Sequence, residues 1–194
     1  RDVERSRGLG DVYKRQEQIE RMAGSRRSQM SQRIVQVYYG SGKGKTSAAV
    51  GQCIRAAGLG QSVIIIQFLK GKDAEEFSFL NRLEPDIKLF RFERENESYD
   101  CLLDSQKKEE RQNILNGFNF AKKVIDTGEC DVLVLDEVLG LVDLEIISIE
   151  DIISLITLRD DYCKLVMTGR CLPPELEPYV DIVSKIDLEK DLEM

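Results

Sequence analysis

From residue 34 onward, short apolar runs alternate with longer stretches in which apolar residues recur every three or four positions. The short runs predict strands at Ile34–Tyr39, Val63–Leu69, Ile87–Phe92, Val132–Leu135, Lys164–Met167 and Asp181–Ile186. The longer stretches predict helices at Thr46–Ala57, Glu75–Leu83, Ser105–Thr127, after Ser148, and at a short segment opened by Pro173 and Pro174. Strands separated by helices favour one open, mostly parallel sheet with helices on both faces.

Two of the predicted helices carry apolar stripes, which identify the faces expected to pack on the sheet. The first helix carries Ala49, Val50, Cys53, Ile54 and Ala57. The long helix carries Ile114, Phe118, Ala121, Val124 and Ile125. Residues 93–104, just before the long helix, are acidic and polar and predict a surface loop.

The carboxyl ends of the predicted strands are the expected place for a ligand, because open parallel sheets bind ligands beyond those ends. The relevant loops follow Tyr39, Leu69, Leu135 and Met167. All four loops carry polar side chains. We therefore expect one functional site at this edge of the sheet.

The first of these loops is rich in glycine and lysine. Its residues are Gly40, Ser41, Gly42, Lys43, Gly44, Lys45, Thr46 and Ser47. Glycines let backbone amides approach phosphate oxygens closely, and the N-terminus of the following helix adds its dipole. Lys45 can add a point charge, and the Thr46 hydroxyl can bind Mg²⁺. The loop is one residue shorter than the standard G-x4-G-K-[ST] pattern, because Tyr39 stands where the first glycine is expected.

Two further loops carry charged groups suited to the same ligand. Asp136 and Glu137 end an apolar strand, where carboxylates hold Mg²⁺ beside a bound nucleotide. The alternative for this pair is a solvated helix cap. Arg170 follows the fifth strand and can bind a triphosphate bidentately, or form a surface salt bridge. Lys70 follows the second strand and either contacts phosphate or is solvated; the sequence favours neither.

The composition excludes several kinds of chemistry. The 194 residues contain no histidine, which rules out histidine-dependent triads, a histidine general base and histidine-ligated zinc or haem. The five cysteines form no CxxC pair, and we expect them to be reduced packing residues of a cytoplasmic protein. No apolar run reaches transmembrane length, so no membrane partner is expected.

Charge is divided unevenly along the chain. Residues 1–33 hold nine basic and five acidic residues, a net charge of +4, whereas the whole chain has a net charge of -7. We expect residues 1–33 to be a flexible basic leader and residues 34–194 to be the folded nucleotide-binding domain. Residues 1–16 resemble translated cloning sequence and are expected not to be native. Because the body is acidic, no nucleic-acid partner is expected.

Four segments together carry a family resemblance. They are YYGSGKGKTSAAVGQCIRAAG, VIIIQFLKG, DVLVLDEVLGLV and VMTGR, within residues 34–187. With these segments the chain resembles the P-loop ATP:corrinoid adenosyltransferases of the vitamin B12 pathway, also called cob(I)yrinic acid a,c-diamide adenosyltransferases. The shortened G-x-G-K-G-K-T loop is typical of this family.

The resemblance implies a RecA-like P-loop α/β fold and an adenosyl transfer. The 5′-deoxyadenosyl group of ATP would move to the Co(I) centre of a reduced corrinoid, with release of triphosphate, in adenosylcobalamin biosynthesis or salvage. By position, Ser41 to Ser47 would hold the triphosphate, while Thr46 and Glu137 would bind Mg²⁺ (or Mn²⁺), supported by Asp136. The implied catalytic residues are Lys45, Glu137 and Arg170. A homodimer and a flavodoxin-like or other reductase partner are also implied.

One stretch departs from the family pattern. Relatives often carry a Gly-Phe-x-Trp type motif after the third strand, where aromatic residues act at the corrinoid. Here the stretch from Glu93 to Tyr99 has no such pair, and Phe92 and Tyr99 are the nearby aromatic residues. The sequence therefore defines the ATP side of the site better than the corrinoid side.

Two other functions are compatible with these residues. One is a P-loop ATPase or kinase that acts at the γ-phosphate of ATP. The other is a non-catalytic protein that binds ATP or a corrinoid. The chemical fate of ATP distinguishes the three: adenosyl transfer with triphosphate release, phosphate release or transfer, or binding without turnover.

Overall fold

The structure is a computed structural model that describes residues 34–70, 75–97, 99–158 and 163–190. The expectations for the basic leader, and for the origin of residues 1–16, lie outside the described residues. The expected domain from residue 34 falls within a compact unit that begins at Arg33.

Six strands form one sheet, and every described pairing in it is parallel. The strands are β1 (Val35–Tyr39), β2 (Val63–Gln67), β3 (Ile87–Arg91), β4 (Val132–Asp136), β5 (Lys164–Gly169) and β6 (Ile182–Lys185). Their order across the sheet is β3-β2-β4-β5-β1-β6. The order places β5 between the glycine-loop strand β1 and the acidic strand β4. All strands end at the same edge, so their following loops meet there.

Helical segments occupy the connections between the strands. The α-helices are α1 (Lys45–Gly58), α2 (Asp104–Thr127), α3 (Gly140–Asp143) and α4 (Ile149–Leu158). The 3₁₀ segments are Glu75–Leu83, Tyr99–Cys101 and Pro174–Tyr179. The cap predicted for α4 is confirmed, because the Ser148 hydroxyl accepts a hydrogen bond from the backbone N–H of Asp151 at 3.2 Å.

The two faces of the sheet are covered by different helices. Successive strand residues point to opposite faces, so Val35 and Val37 pack with α2 and α4, whereas Tyr38 packs with α1. The stripe predicted for α2 is buried throughout. The predicted P-loop α/β fold, with helices on both faces of a parallel sheet, is therefore confirmed.

Three sequence expectations need correction. The second strand ends at Gln67 rather than Leu69, because Leu69 has a left-handed backbone with φ 57°. Ile54 is 51% exposed, since it lies roughly 140° around the helix from Ala49 at 3.6 residues per turn; Ala56 is buried instead. The stretch expected to be a surface loop contains Glu93, which is 7% exposed.

The cysteines of the described chain are thiols, and its helices are those of a sheet-covering layer. None of the five cysteines, all within the described ranges, forms a disulfide: Cys53, Cys130 and Cys163 are buried, and Cys101 and Cys171 are exposed. Burial raises the pKa of Cys53 to about 12, so this thiol stays protonated. Within the described ranges, no helix combines the length and the apolar character needed to cross a bilayer.

Candidate active site

The glycine loop after β1 is anchored to the residues that follow the neighbouring strands β5 and β6. The Gly40 N–H donates to the Arg170 carbonyl at 3.0 Å, and the Gly42 N–H donates to the Ile186 carbonyl at 2.8 Å. A Cβ on either glycine would collide with the Ile186 carbonyl, and Gly40 also has φ 124°. These two glycines therefore serve close backbone packing, and their amides are used within the protein.

The amides available to a ligand come from the start of α1. The first helical hydrogen bond at this end runs from the Ala48 N–H to the Gly44 carbonyl at 2.8 Å. The N–H groups of Lys45, Thr46 and Ser47 precede it, so the helix itself does not use them. They lie at the positive end of the helix dipole, where an anion is favoured. The Lys45 ammonium group folds back over the loop and donates to the Gly42 carbonyl at 3.0 Å.

Asp136 is the centre of a hydrogen-bond network behind the loop. It is 1% exposed. Its Oδ1 accepts hydrogen bonds from the hydroxyls of Thr46 at 2.9 Å and Thr168 at 2.7 Å. Its Oδ2 accepts one from the Gln67 amide at 3.0 Å. Three donors from three elements fix this carboxylate, which connects α1 to the middle of the sheet.

The network continues to the edge strand β3. The Arg91 Nε donates to the Gln67 side-chain oxygen at 2.9 Å. Arg91, Gln67 and Asp136 are register partners in β3, β2 and β4, so parallel pairing itself aligns them in a row. This row couples the orientation of the Asp136 carboxylate to two strands far from the glycine loop in sequence.

Glu137, unlike Asp136, faces the cleft. Its backbone has φ 59°, and its N–H donates to the Thr168 hydroxyl at 2.7 Å. Burial and the neighbouring Asp136 raise the pKa of Glu137, while Lys45, Lys70 and Arg170 oppose the rise. One threonine thus holds both acidic residues: its hydroxyl donates to one side chain and accepts from the backbone of the other.

These elements enclose a cleft of about 480 Å³ at the carboxyl edge of the sheet. Its lining residues are Ser41, Gly42, Lys43, Gly44, Lys45, Thr46, Ser47, Lys70, Glu137 and Arg170. Four of them carry positive charge and one carries a carboxylate. A cleft of this kind suits a polyphosphate anion.

The structure brings together nearly all the site residues predicted from sequence. Gly40 and Asp136 lie behind the lining rather than in it. The sequence placed Thr168 and Gln67 at strand ends on this edge of the sheet but predicted no role for either. Glu93 was missed entirely, because an acidic stretch predicts solvent exposure and only tertiary packing buries one of its members.

The fold and the cleft define a P-loop nucleotide-binding protein of the α/β class. The family model for ATP:corrinoid adenosyltransferase BtuR/CobO/CobP matches residues 31–192. The chain belongs to this family, which confirms the resemblance stated from its sequence motifs. It is therefore a member of an enzyme family whose substrates are ATP and a corrinoid.

Individual relatives are distant but cover most of the chain. The corrinoid adenosyltransferase CobA of Salmonella typhimurium is 28% identical over 155 residues, which is 79% of this chain and 76% of the relative. The corrinoid adenosyltransferase of Escherichia coli K12 is 27% identical over the same shares. That of Pseudomonas aeruginosa is 25% identical over 81% of this chain and 76% of the relative.

Proposed function

We propose that this protein transfers the 5′-deoxyadenosyl group of ATP to the Co(I) centre of a reduced corrinoid, in adenosylcobalamin biosynthesis or salvage. The cobalt electron pair forms the Co–C5′ bond as the C5′–O bond breaks. The electron pair of that bond leaves with the triphosphate. The observation that carries the proposal is the cationic cleft built on the glycine loop, in a chain of the ATP:corrinoid adenosyltransferase family.

The cleft residues bind and stabilise the leaving triphosphate. The N–H groups of Lys45, Thr46 and Ser47 lie where phosphate oxygens of ATP are expected. Lys45 releases its contact with the Gly42 carbonyl and turns to the phosphates. Arg170, an exposed residue of the lining, adds a second cation. Preorganised charge of this kind lowers the barrier most where negative charge develops, which here is the triphosphate.

The oxygen groups at the cleft fit a magnesium ion, which prefers hard oxygen ligands. Thr46 donates its hydroxyl proton to Asp136, which leaves its oxygen lone pairs available to a cation. The Glu137 carboxylate lines the same cleft. We assign Thr46 and Glu137 as ligands and Asp136 as the group that orients Thr46. A bound Mg²⁺ or Mn²⁺ would neutralise triphosphate charge.

The chemistry requires no protein base. The chain contains no histidine, and the nucleophile is the cobalt of the substrate, which carries no proton to remove. The task of the protein is to place C5′ of ATP opposite the cobalt and to exclude water. This division of labour is compatible with a cleft of amides, lysines and one arginine.

The proposal extends to the partners and the location of the enzyme. A homodimer and a flavodoxin-like or other reductase are expected from the family resemblance, since Co(I) must be generated by a reductant. A cytoplasmic location is supported by the five cysteines, none of which forms a disulfide in the structure.

An anaerobic assay with ATP and a chemically reduced corrinoid tests the proposal. We expect the absorbance change of Co–C bond formation, with one triphosphate released per adenosylated corrinoid. Release of phosphate without corrinoid alkylation would instead identify an ATPase. ATP binding with no turnover would identify a regulator. Lys45→Ala is the inactive control.

A further inference from the structure

A buried carboxylate in the loop after β3 has no part in the chemistry described so far. Glu93 is 7% exposed. Its Oε1 accepts a hydrogen bond from the Leu69 N–H at 2.8 Å, and its Oε2 accepts one from the Phe92 N–H at 3.3 Å. Burial raises the pKa of this carboxyl, and the backbone hydrogen bonds oppose the rise. Burying a carboxylate is unfavourable unless specific bonds compensate. We therefore expect the hydrogen bonds of Glu93 to fix the backbone segments that donate them.

The residue that Glu93 holds is Leu69, which has an unusual backbone. Its φ of 57° lies in the left-handed region, which a branched side chain adopts only when its surroundings impose it. The preceding Phe68 N–H is bonded to the Asp136 carbonyl at 2.9 Å. The Leu69 side chain lies against Gly140, where an added Cβ would come within 2.8 Å of its Cδ1. The hydrogen bond from the Leu69 N–H to the Glu93 carboxylate is a third contact that fixes this residue.

Lys70 directly follows the left-handed residue Leu69. Lys70 lines the cleft together with Lys45, Glu137 and Arg170. Its charge lowers the pKa of Glu137, second only to Lys45 among the cations that act on that carboxyl. Lys70 therefore faces the same space as the phosphate-loop lysine, although it belongs to a different strand end.

We propose that Glu93 is a positioning residue for Lys70, and that Lys70 binds the triphosphate of ATP. By holding Leu69 in its left-handed conformation, the Glu93 carboxylate directs the Lys70 ammonium group into the cleft. The proposal rests on the nucleotide site proposed above and extends it across the sheet to the loop after β3.

A second buried carboxylate provides a matched control. Glu110, 3% exposed, accepts hydrogen bonds from the backbone N–H groups of Arg94 at 2.9 Å and Glu95 at 3.2 Å. It holds the same loop as Glu93 but has no hydrogen bond to Leu69 among the described contacts. Loss of either carboxylate should loosen the loop, whereas only loss of Glu93 should displace Lys70.

The test is a double-mutant cycle on ATP affinity, measured by calorimetry with ATP and MgCl₂ and without corrinoid. Glu93→Met fills the buried volume but removes the acceptor, and we expect it to raise Kd about fivefold. Lys70→Ala should raise Kd about tenfold, in line with loss of a charge-assisted contact. The double variant should bind no more weakly than Lys70→Ala alone. Glu93→Gln, which keeps an oxygen for Leu69, should stay within about twofold of the wild-type Kd.

The outcomes separate this proposal from the function on which it rests. If the effects of Glu93→Met and Lys70→Ala on Kd multiply in the double variant, the positioning role is overturned while the nucleotide site stands. The same holds if Lys70→Ala leaves Kd unchanged. If the wild-type protein binds no ATP, the proposed function fails as well. Glu110→Met should lower the melting temperature and leave Kd unchanged; an equal rise in Kd would reduce Glu93 to a structural role. If Glu93→Met does not fold, Leu69→Gly tests the residue that joins Glu93 to Lys70. A higher Kd for ATP in Leu69→Gly, but not when Lys70→Ala is also present, supports the positioning role. An unchanged Kd contradicts it.

Discussion

The loops after β1 and β3 lie at the same edge of the sheet, and both present backbone amides that favour negative charge. In the loop after β3 the chain supplies the anions itself, because Glu93 and Glu110 are buried and accept hydrogen bonds from the loop amides. In the loop after β1 the amides that begin α1 and the nearby lysines surround an open cleft. The loop after β3 carries its own carboxylates, whereas the loop after β1 leaves the first amides of α1 to an external anion, which is the phosphate of ATP in the proposed function.

This comparison predicts a division of effects between the two loops. Substitutions in the loop after β1 should change ATP binding and turnover more than stability. Substitutions of the carboxylates under the loop after β3 should change stability, with Glu93 alone affecting both.

The largest effect is expected for Lys45→Ala, in the loop after β1. It removes the cation carried by the first residue of α1, and we expect kcat/KM for adenosyl transfer to fall about 100-fold or more. Steady-state kinetics under anaerobic conditions measure this loss. The melting temperature should change little. Lys88→Ala, an exposed lysine of β3, is the matched control, and an equal loss in that variant would contradict a specific role.

Glu137→Gln should have the next largest effect and a distinct pH dependence. We expect kcat/KM to fall about tenfold or more near neutral pH, because the neutral amide is a weaker cation ligand. Since burial raises the pKa of Glu137 in the free enzyme, kcat/KM of the wild type should decline on acidification at a higher pH than for an ordinary carboxyl. That decline should be absent in Glu137→Gln.

The same pKa shift predicts an opposite effect on stability. A carboxyl whose folded-state pKa is raised binds its proton more tightly in the folded protein, so its contribution to stability is lost as pH rises through that pKa. Glu137→Gln should therefore be at least as stable as wild type at neutral pH. Thermal unfolding at several pH values checks this, with the exposed Glu129→Gln as control; a lower melting temperature for Glu137→Gln alone would refute it.

Glu110→Ala should affect stability but not ATP affinity. It leaves the N–H groups of Arg94 and Glu95 and the Asn113 amide without their acceptor, and we expect a loss of about 2–3 kcal/mol in the free energy of unfolding. Urea denaturation measures it. Glu109→Ala removes an exposed ion pair with Arg94 and should cost under about 0.5 kcal/mol. Similar losses in the two variants would remove the contrast between a buried and an exposed carboxylate.

Ser148→Ala should have the smallest effect on the cleft, since Ser148 lies away from both loops. Loss of the cap on α4 is expected to cost about 1 kcal/mol. Chemical denaturation gives the value, and adenosyl transfer should be unchanged. A loss of ATP affinity in this variant would indicate that the cleft depends on α4.

Much of the fold was readable from local patterns. Apolar runs at Val63–Leu69 and Val132–Leu135 predicted buried strands, which the structure has at Val63–Gln67 and Val132–Asp136. The 3.6-residue stripe of α2 predicted its packing face. The glycine loop and the Asp136–Glu137 pair indicated the site, because both follow strands and open parallel sheets bind ligands beyond the carboxyl ends of their strands. The prediction that Ile54 belongs to the buried face of α1 was wrong, because its position on the helix falls just outside that face.

The sequence by itself determined the order of strands and helices, the family, and the residues of the glycine loop, because each depends on neighbours close along the chain. Tertiary structure alone decided that Gly40 and Gly42 pack on the end of β6, that Thr168 holds both acidic residues, and that Glu93 is buried beneath Leu69. Such contacts join residues from different strands, and sheet order brings them together. An acidic residue in a polar stretch gives no local sign of burial, since the backbone amides that compensate its charge come from elsewhere in the chain.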